Sequence, residues 1–361
     1  MKIHILVFRT SLRTPGDYSP RVGHDNNTNP TTPMKLSVLL ALTLQACDAQ
    51  SSSHSPQGHA AARSNDIATL REIYSGNTNL VNIPEPGSGQ TPLMAAVLSG
   101  ATKSVETLLL ELNADPTIPE KDGYTPPHGA GFQGRADVAT LLIQRHQTKQ
   151  DCPIDAPHSG DHVTPLWRTT WGTAQRHVDT GLVMVEGGAD PNYRVPDEMS
   201  ERAGVAATPL QSAVVRSNIR SVQMLCAHGG NANIRNRNGA TSLHLSLGLL
   251  KVGDRSQEMI IQYLLEQCNA NPNLKDNNNK SSYRLGIVDD EGLLPDFLKD
   301  SLTSRARLMP SDPSDLAERE EEKEEEEEEQ DNRDQKKKKK KKKTSKKTID
   351  KQDEEMDTVE L

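Results

Sequence analysis

Apolar residues recur at helical spacing from about residue 58 to about residue 305. The clearest example is the segment 122–143, DGYTPPHGAGFQGRADVATLLI. Thr125-Pro126 predicts a helix start, because a threonine hydroxyl caps a first turn and a proline at the first helical position loses no hydrogen bond. Gly134 predicts the end of this short helix. A second, longer helix is predicted after it by an apolar face at helical spacing: Val138, Leu141 and Leu142.

The same pattern returns at a nearly regular interval. Helix starts of the type Thr-Pro or Thr-Ser are 34, 39, 44 and 33 residues apart, at Thr91, Thr125, Thr164, Thr208 and Thr241. Each pair of predicted helices closes on Asn or Asp, as in the segment 186–192, EGGADPN. The two longer intervals need insertions, and the polar, proline-bearing segments 147–163 and 193–207 predict loops there. A further insertion is predicted at 251–257.

Turn, short helix, turn and longer helix in this order resemble the ankyrin repeat, whose core is TPLH-x-A. The segments that carry the resemblance are 91–96 (TPLMAA), 125–130 (TPPHGA), 164–166 (TPL), 208–213 (TPLQSA) and 241–245 (TSLHL). Pro127 departs from the pattern, which has leucine there. A degenerate first unit is predicted at His59–Ile73 and a weak seventh after Ser281. The resemblance implies an all-α ankyrin-repeat solenoid of about six helix-turn-helix repeats over 58–305, because one unit cannot bury its apolar face alone.

Composition agrees with a stack of thin helices. Only 3% of the residues are aromatic and 34% are hydrophobic, which is poor for one large core. The chain has no Gly-rich phosphate loop, GxSxG, HExxH or paired CxxC motif. We therefore expect no enzyme activity, no cofactor and no catalytic residue.

The cysteines and histidines suggest little chemistry. Cys226 and Cys268 fall where second helices carry core residues, so buried thiols are expected and a disulfide framework is not indicated. A loop could wrap His146, Cys152, His158 and His162 around zinc, but the spacing C-x5-H-x3-H fits no zinc family we can assign. We favour a polar loop with incidental histidines and no metal. His128 and His244, at the motif's histidine position, are expected to bond turn backbone between repeats.

Both ends of the chain are predicted to be disordered. Residues 1–57 contain a segment, 34–50, that resembles a secretory signal peptide but does not begin the chain. Either translation begins at Met34 and the product is secreted, or the segment is a buried or interfacial helix of a cytosolic protein. It is too short to span a bilayer comfortably.

The tail 306–361 is of low complexity. A glutamate-rich block at Glu320–Glu329 is followed by unbroken lysine at Lys336–Lys343. The lysine run is a solvated tail, a nuclear import signal or an anionic-polymer contact. The compartment therefore stays open between the secretory pathway and the nucleus or cytoplasm.

The resemblance places a partner against the concave face, formed by turn tips and first helices. Aligned on the helix starts, Leu98, Phe132, Trp171 and Val215 occupy one position late in the first helices, which the family usually exposes. Tyr124 lies at a turn tip. We expect an apolar ladder centred on Phe132 and Trp171, with Gln133 and Arg216 as polar neighbours. The alternative is that Phe132 and Trp171 turn inward to fill gaps.

These patterns predict a non-enzymatic, monomeric scaffold that presents the concave groove to a protein or peptide partner. The alternative is a nucleic-acid- or chromatin-associated protein that uses the lysine tail, since the repeats themselves carry no nucleic-acid signature. The two hypotheses predict different salt dependence, because phosphate binding weakens steeply with ionic strength.

Overall fold

The computed structural model describes residues 56–76, 78–287 and 292–313. Within these ranges every regular element is helical, and strand pairing is limited to an isolated bridge between Lys275 and Ser281. The predicted all-α repeat fold is thus confirmed. The signal-like segment 34–50, the glutamate block and the lysine run lie outside the described residues.

The helices follow one another in pairs, as the repeat pattern predicts. The first helices of the pairs are α1 (56–64), α3 (Pro92–Ser99), α5 (Pro126–Gln133), α7 (Pro165–Thr169), α10 (Pro209–Val215), α12 (Ser242–Leu249) and α14 (Ser282–Ile287). The second helices are α2 (Ile67–Tyr74), α4 (Thr102–Glu106), α6 (Ala136–Lys149), α8 (Gln175–Glu186), α11 (Ile219–Ala227), α13 (Arg255–Glu266) and α15 (Asp296–Leu308). A 3-10 helix, Thr78–Asn82, follows α2, and α4 continues into a π-helical turn at Thr107–Glu111.

First helices stack on first helices and second helices on second helices. α5 packs between α3 and α7, while α6 packs against α8 and α11 packs against α13. One buried apolar cluster runs through the stack from Ala61 to Leu302. The core is therefore continuous along the repeats, as a solenoid requires.

The threonines that begin the first helices act as predicted in three repeats. Their hydroxyls accept a hydrogen bond from the backbone N–H three residues later, at Thr91, Thr164 and Thr208. Thr125 differs, because its hydroxyl lies 2.8 Å from Nδ1 of His128 and caps no backbone group. The N-cap role predicted for Thr125 is wrong in this detail. Gly134 ends α5 in the left-handed region, with φ of 67°.

Side chains at the motif's histidine position join each repeat to the next. Nε2 of His128 lies 3.1 Å from the carbonyl oxygen of Val163, and Nε2 of His244 lies 3.0 Å from that of Lys280. A carbonyl oxygen only accepts, so Nε2 carries the proton in both rings. Burial lowers the pKa of His128 to about 4, which keeps the ring neutral. The prediction that these two histidines bond turn backbone between repeats is confirmed.

Cys226 and Cys268 form a disulfide, so the prediction of two buried thiols is wrong. Cys226 lies at the end of α11 and Cys268 just after α13, and their Cα atoms are 5.3 Å apart. Stacking brings the ends of consecutive second helices together although the two residues are 42 positions apart in the chain. Cys152 is a free, buried cysteine.

Three large apolar residues of the second helices and their continuations lie on the surface. Leu110, Met259 and Phe297 are 52%, 53% and 52% exposed. In the π-helical turn, Leu108 and Leu109 take the buried side of the helix. Three successive leucines cannot all face the same side of a helix, so Leu110 points outward.

The insertion 193–207 contains a helix, α9 (Asp197–Ala203), where the sequence predicts only a loop. Side chains from α9 and from the residues on either side of it cover the Trp167 ring. Val195, Met199 and Val205 pack around that ring together with Val163. The loop predicted at 147–163 begins later than predicted, because α6 continues to Lys149, and residues 150–163 contain turns and bends without a helix. The α9 insertion is thus a structured wall beside the first helices.

At the other end of the repeats, packing extends beyond the predicted limit at residue 305. α15 continues to Leu308, and the buried carboxylate of Asp312 forms an ion pair with Arg235. It also accepts a hydrogen bond of 2.7 Å from the backbone N–H of Lys275. Asp312 therefore fastens the segment after α15 to the last two repeats.

Close packing of α5 explains its glycines, and it yields a matched pair of variants. A Cβ at Gly131 would lie 2.3 Å from the carbonyl oxygen of Pro165, which is backbone. A Cβ at Gly129 would meet only the ends of the Leu98 and Met94 side chains, at 3.2 Å. We expect Gly131→Ala to lower the free energy of unfolding by about 2 kcal/mol, because forced overpacking outweighs the gain of about 1 kcal/mol in helix propensity.

Gly129→Ala is the control, and we expect it to change the free energy of unfolding by less than about 1 kcal/mol, because flexible side-chain ends can move. Urea unfolding of both variants measures the difference. Equal effects of the two substitutions would contradict the close approach of α5 to α7.

Candidate functional site

The residues predicted as a ladder lie at the C-terminal ends of successive first helices. Phe132 and Val215 are each 48% exposed, at the ends of α5 and α10. Trp171 follows α7 and so comes between these two residues along the chain; it is half-buried. The rings of Phe132 and Trp171 meet edge to face, with centroids 5.9 Å apart. We call Phe132, Trp171, Val215 and Arg216 the aromatic groove.

Arg216 completes the groove beside Trp171. Its guanidinium carbon lies 4.6 Å from the centroid of the Trp171 ring, a cation–π distance. Burial, together with the nearby charge of Arg168, lowers the pKa of Arg216 from its usual value. An arginine remains charged nevertheless, so the groove presents a cation next to aromatic surface.

The other predicted residues lie around this groove. Leu98 is half-buried at the end of α3 and lies against Gly129 of α5. Gln133 is half-buried, and its carbonyl oxygen accepts a hydrogen bond of 3.3 Å from Nε of Arg176. Tyr124 is half-buried and stacks on His158, with ring centroids 4.1 Å apart and an interplanar angle of 9°. Tyr124 is thus held in place by a neighbouring ring.

A buried ion pair lies next to Trp171 of the aromatic groove. Arg168, on α7, is 1% exposed, and its guanidinium pairs with Asp161. It also donates a hydrogen bond of 2.9 Å to the Tyr124 hydroxyl, and its guanidinium carbon lies 4.6 Å from the Trp171 ring centroid. The Arg168 side chain therefore contacts both Tyr124 and Trp171 and holds them in place.

Burial alone would raise the pKa of Asp161, but neighbouring groups outweigh it. The charge of Arg168, the Val163 amide and His158 together hold the pKa of Asp161 below its usual value. The carboxylate is therefore charged at neutral pH and neutralises Arg168.

A cavity of about 570 Å³ opens beside Trp171. One wall is formed by Ala203, Gly204, Val205 and Ala206 at the end of α9, and the opposite wall by Trp171, Val215 and Arg216. The volume falls in the range of pockets that hold small ligands. The α9 insertion therefore bounds this pocket on one side.

Sequence reasoning missed Arg168, Asp161 and the α9 wall. A signal for Arg168 was present: the equivalent position in three other repeats carries a small residue, Ala95, Gly129 or Ser212. An arginine in that buried row requires a carboxylate partner. Trp167 is 2% exposed, and its Nε1 donates to the carbonyl oxygen of Ala206 at 3.2 Å.

In the part of the chain that the structure describes, no three His, Cys, Asp or Glu side chains are grouped so that they could hold a metal. Nε2 of His158 donates to the carbonyl oxygen of Asp122 at 2.8 Å, and Nδ1 of the same ring lies 2.8 Å from a carboxylate oxygen of Asp161. Burial raises the pKa of the Cys152 thiol to about 12. These two side chains are committed to packing and turn formation.

Three kinds of comparison relate this architecture to known proteins. Residues 58–154 match the family model for ankyrin repeats in three copies. The ankyrin repeat domain of Bcl-3, described as a unique member of the IkappaB protein family, superposes with a TM-score of 0.56 and 20% identity. The superposition covers 68% of this chain and 97% of that domain. At this identity the likeness shows the fold.

Two curated relatives are matched over smaller parts of their length. ZDHHC13 of Danio rerio, a candidate palmitoyltransferase, is 26% identical over 199 residues, which is 55% of this chain and 27% of that protein. The FYVE zinc finger domain protein UPA1 of Mycosarcoma maydis is 33% identical over 75 residues, 21% of this chain and 6% of that protein. The chain thus spans about a quarter of the length of the first relative and less of the second. Among the described residues no helix is long and apolar enough to cross a membrane.

Proposed function

The chain contains an array of ankyrin repeats, a general protein–protein interaction module, and we propose that its aromatic groove binds a protein or peptide partner. The observation that carries the proposal is the exposure of Phe132 beside Trp171 and Arg216 in a chain with few aromatic residues. Trp, Tyr and Arg dominate the energetics of protein interfaces when they cluster near the centre. The scaffold would act by rigid presentation of this surface, without catalysis.

Exposure favours this proposal over inward packing. A ring that fills a gap is buried, as Trp167 is, whereas Phe132 leaves nearly half of its surface in contact with solvent. Such a residue gains little for folding and has apolar area available for a partner. Trp171 is intermediate, since it supports Phe132 and also lines the cavity.

The alternative function, nucleic-acid or chromatin association, depends on Lys336–Lys343, outside the described residues. The aromatic groove offers no row of free cations that would follow a phosphate backbone. Within the described residues we therefore find no observation that favours this alternative over peptide binding.

Phe132→Ala tests the proposal on the full-length chain. Peptides selected by the wild-type chain from a random display library serve as probes, and their Kd is measured by fluorescence anisotropy. We expect Phe132→Ala to weaken binding about 30-fold, since truncation of an interface anchor costs about 2 kcal/mol or more. The melting temperature should stay within about 2 °C, because the ring is half exposed.

Phe297→Ala is the matched control, because Phe297 is the same residue type with nearly the same exposure, 52%, on α15 at the far end of the stack. It should leave peptide affinity unchanged. If Phe132→Ala leaves the affinity unchanged and lowers the melting temperature by several degrees, the Phe132 ring has a packing role and not a binding role. Failure of the wild-type chain to select any peptide would also count against the proposal.

A further inference from the structure

On the premise that the aromatic groove binds a peptide, as proposed above, we propose that the cavity beside Trp171 receives an acidic side chain of that peptide. A large apolar residue next to the acidic residue would contact Phe132 and Val215. The cavity and the apolar surface are adjacent parts of the aromatic groove. The proposal rests on two hydrogen-bond donors at the cavity that have no acceptor and on the charge balance around them.

The first donor is the guanidinium of Arg216. It lines the cavity and stacks near the Trp171 ring, yet it forms no ion pair and no side-chain hydrogen bond among the described residues. Of the three acidic residues of the facing α9, Asp197 pairs with Arg194 and Glu201 pairs with Arg237, while Glu198 is exposed and forms no ion pair with Arg216 among the described residues. A guanidinium placed this way binds a carboxylate through two parallel hydrogen bonds.

The second donor is the indole N–H of Trp171. Its Nε1 is buried and has no hydrogen-bond partner in the structure, unlike Nε1 of Trp167, which donates to the carbonyl oxygen of Ala206. A buried donor without an acceptor is destabilising, and buried polar groups are nearly always paired. Because this atom is closed off from solvent, an oxygen atom of a ligand reaches it only when the Trp171 ring shifts on binding.

The charge balance selects an anion. Asp161 is the acidic side chain that lines the cavity, and it is already paired with Arg168 and His158. With Arg168 neutralised in this way, Arg216 leaves the cavity with a net positive charge. A carboxylate complements that charge, whereas a lysine or arginine of a partner would meet repulsion.

A charge swap tests the proposal on the full-length chain. Random peptides selected by the wild-type chain should be enriched in Asp or Glu next to Leu, Phe or Trp. Arg216→Glu should weaken a selected peptide about tenfold or more, because a charge-assisted hydrogen bond is lost and repulsion is added. The same peptide with its acidic residue changed to Lys should bind the Arg216→Glu chain more tightly than it binds the wild-type chain.

Arg220→Glu is the control for net charge, because Arg220 is exposed on α11 and lies outside the cavity lining. It should change the affinity less than about twofold at physiological salt, because an exposed side chain outside the cavity does not line the binding site and its charge is screened by salt. Selected peptides without acidic enrichment, or a charge swap that restores nothing, would overturn this inference. If Phe132→Ala still abolished their binding, the proposed function would stand. If Phe132→Ala had no effect either, both would fall.

Discussion

Asp161→Ala is expected to lower the free energy of unfolding by about 3 kcal/mol. The substitution leaves the guanidinium of Arg168 with no carboxylate, and the Arg168 side chain is only 2% exposed. An unpaired buried charge is among the most destabilising defects in a protein, because water cannot reach it. We take the lower end of the usual range, since the Asp161 side chain itself is 17% exposed. Urea unfolding followed by far-UV circular dichroism measures the change.

The double variant Asp161→Ala/Arg168→Leu distinguishes a buried charge from lost packing. Removing both partners also removes the uncompensated charge, so we expect it to be more stable than Asp161→Ala alone. Glu111→Ala is the surface control, because the Arg71–Glu111 pair has side chains 56% and 47% exposed. Exposed pairs contribute about 0–1 kcal/mol. A cost of Asp161→Ala no larger than that of Glu111→Ala would mean that water solvates Arg168.

The repeat pattern predicts the fold well, because its signals are local and act through the backbone. Thr-Pro starts, glycine ends and a helical apolar face fix each helix pair, and stacking follows since no pair buries its apolar face alone. The exposed position of Phe132 could also be predicted, because the repeat leaves that position free. Aligning the units on Thr125 and its counterparts was sufficient to find it.

The α9 insertion could not be predicted from its own sequence. The segment DEMSERA is short and polar, and an isolated helix of that length is unstable in water. It forms here because Met199 packs on the cluster around Trp167, which lies in another part of the repeat. The same long-range dependence hid the cavity, since one of its walls is the end of this helix.

The disulfide escaped prediction for a related reason. Cysteine spacing indicates pairing in small frameworks, whereas Cys226 and Cys268 are neighbours only after two repeats have stacked. The insertion between α12 and α13 further separates them in the chain. Only the stacked structure brings the two helix ends within bonding distance.

Cys226→Ser is expected to lower the free energy of unfolding of the oxidised chain by about 3 kcal/mol, because the bond closes a loop whose ends are 42 residues apart and so restricts the unfolded chain. The measurement is the urea midpoint of wild-type and variant chains, each with and without a thiol reductant. Reductant should lower the midpoint of the wild-type chain and leave that of Cys226→Ser unchanged.

Cys152→Ser is the control, because Cys152 is buried without a partner cysteine. Cys152→Ser changes the packing around this buried side chain, but its effect on the urea midpoint should be the same with and without reductant. A wild-type midpoint insensitive to reductant would show that Cys226 and Cys268 are thiols, as the sequence suggested.

The result also bears on the compartment that the sequence leaves open. Disulfides persist in the secretory pathway and are reduced in the nucleus and cytosol, so a bond worth about 3 kcal/mol would stabilise the last repeats only in a secreted product. In a nuclear product the same repeats would be held without the disulfide, by apolar packing and by polar contacts such as the Asp312–Arg235 ion pair.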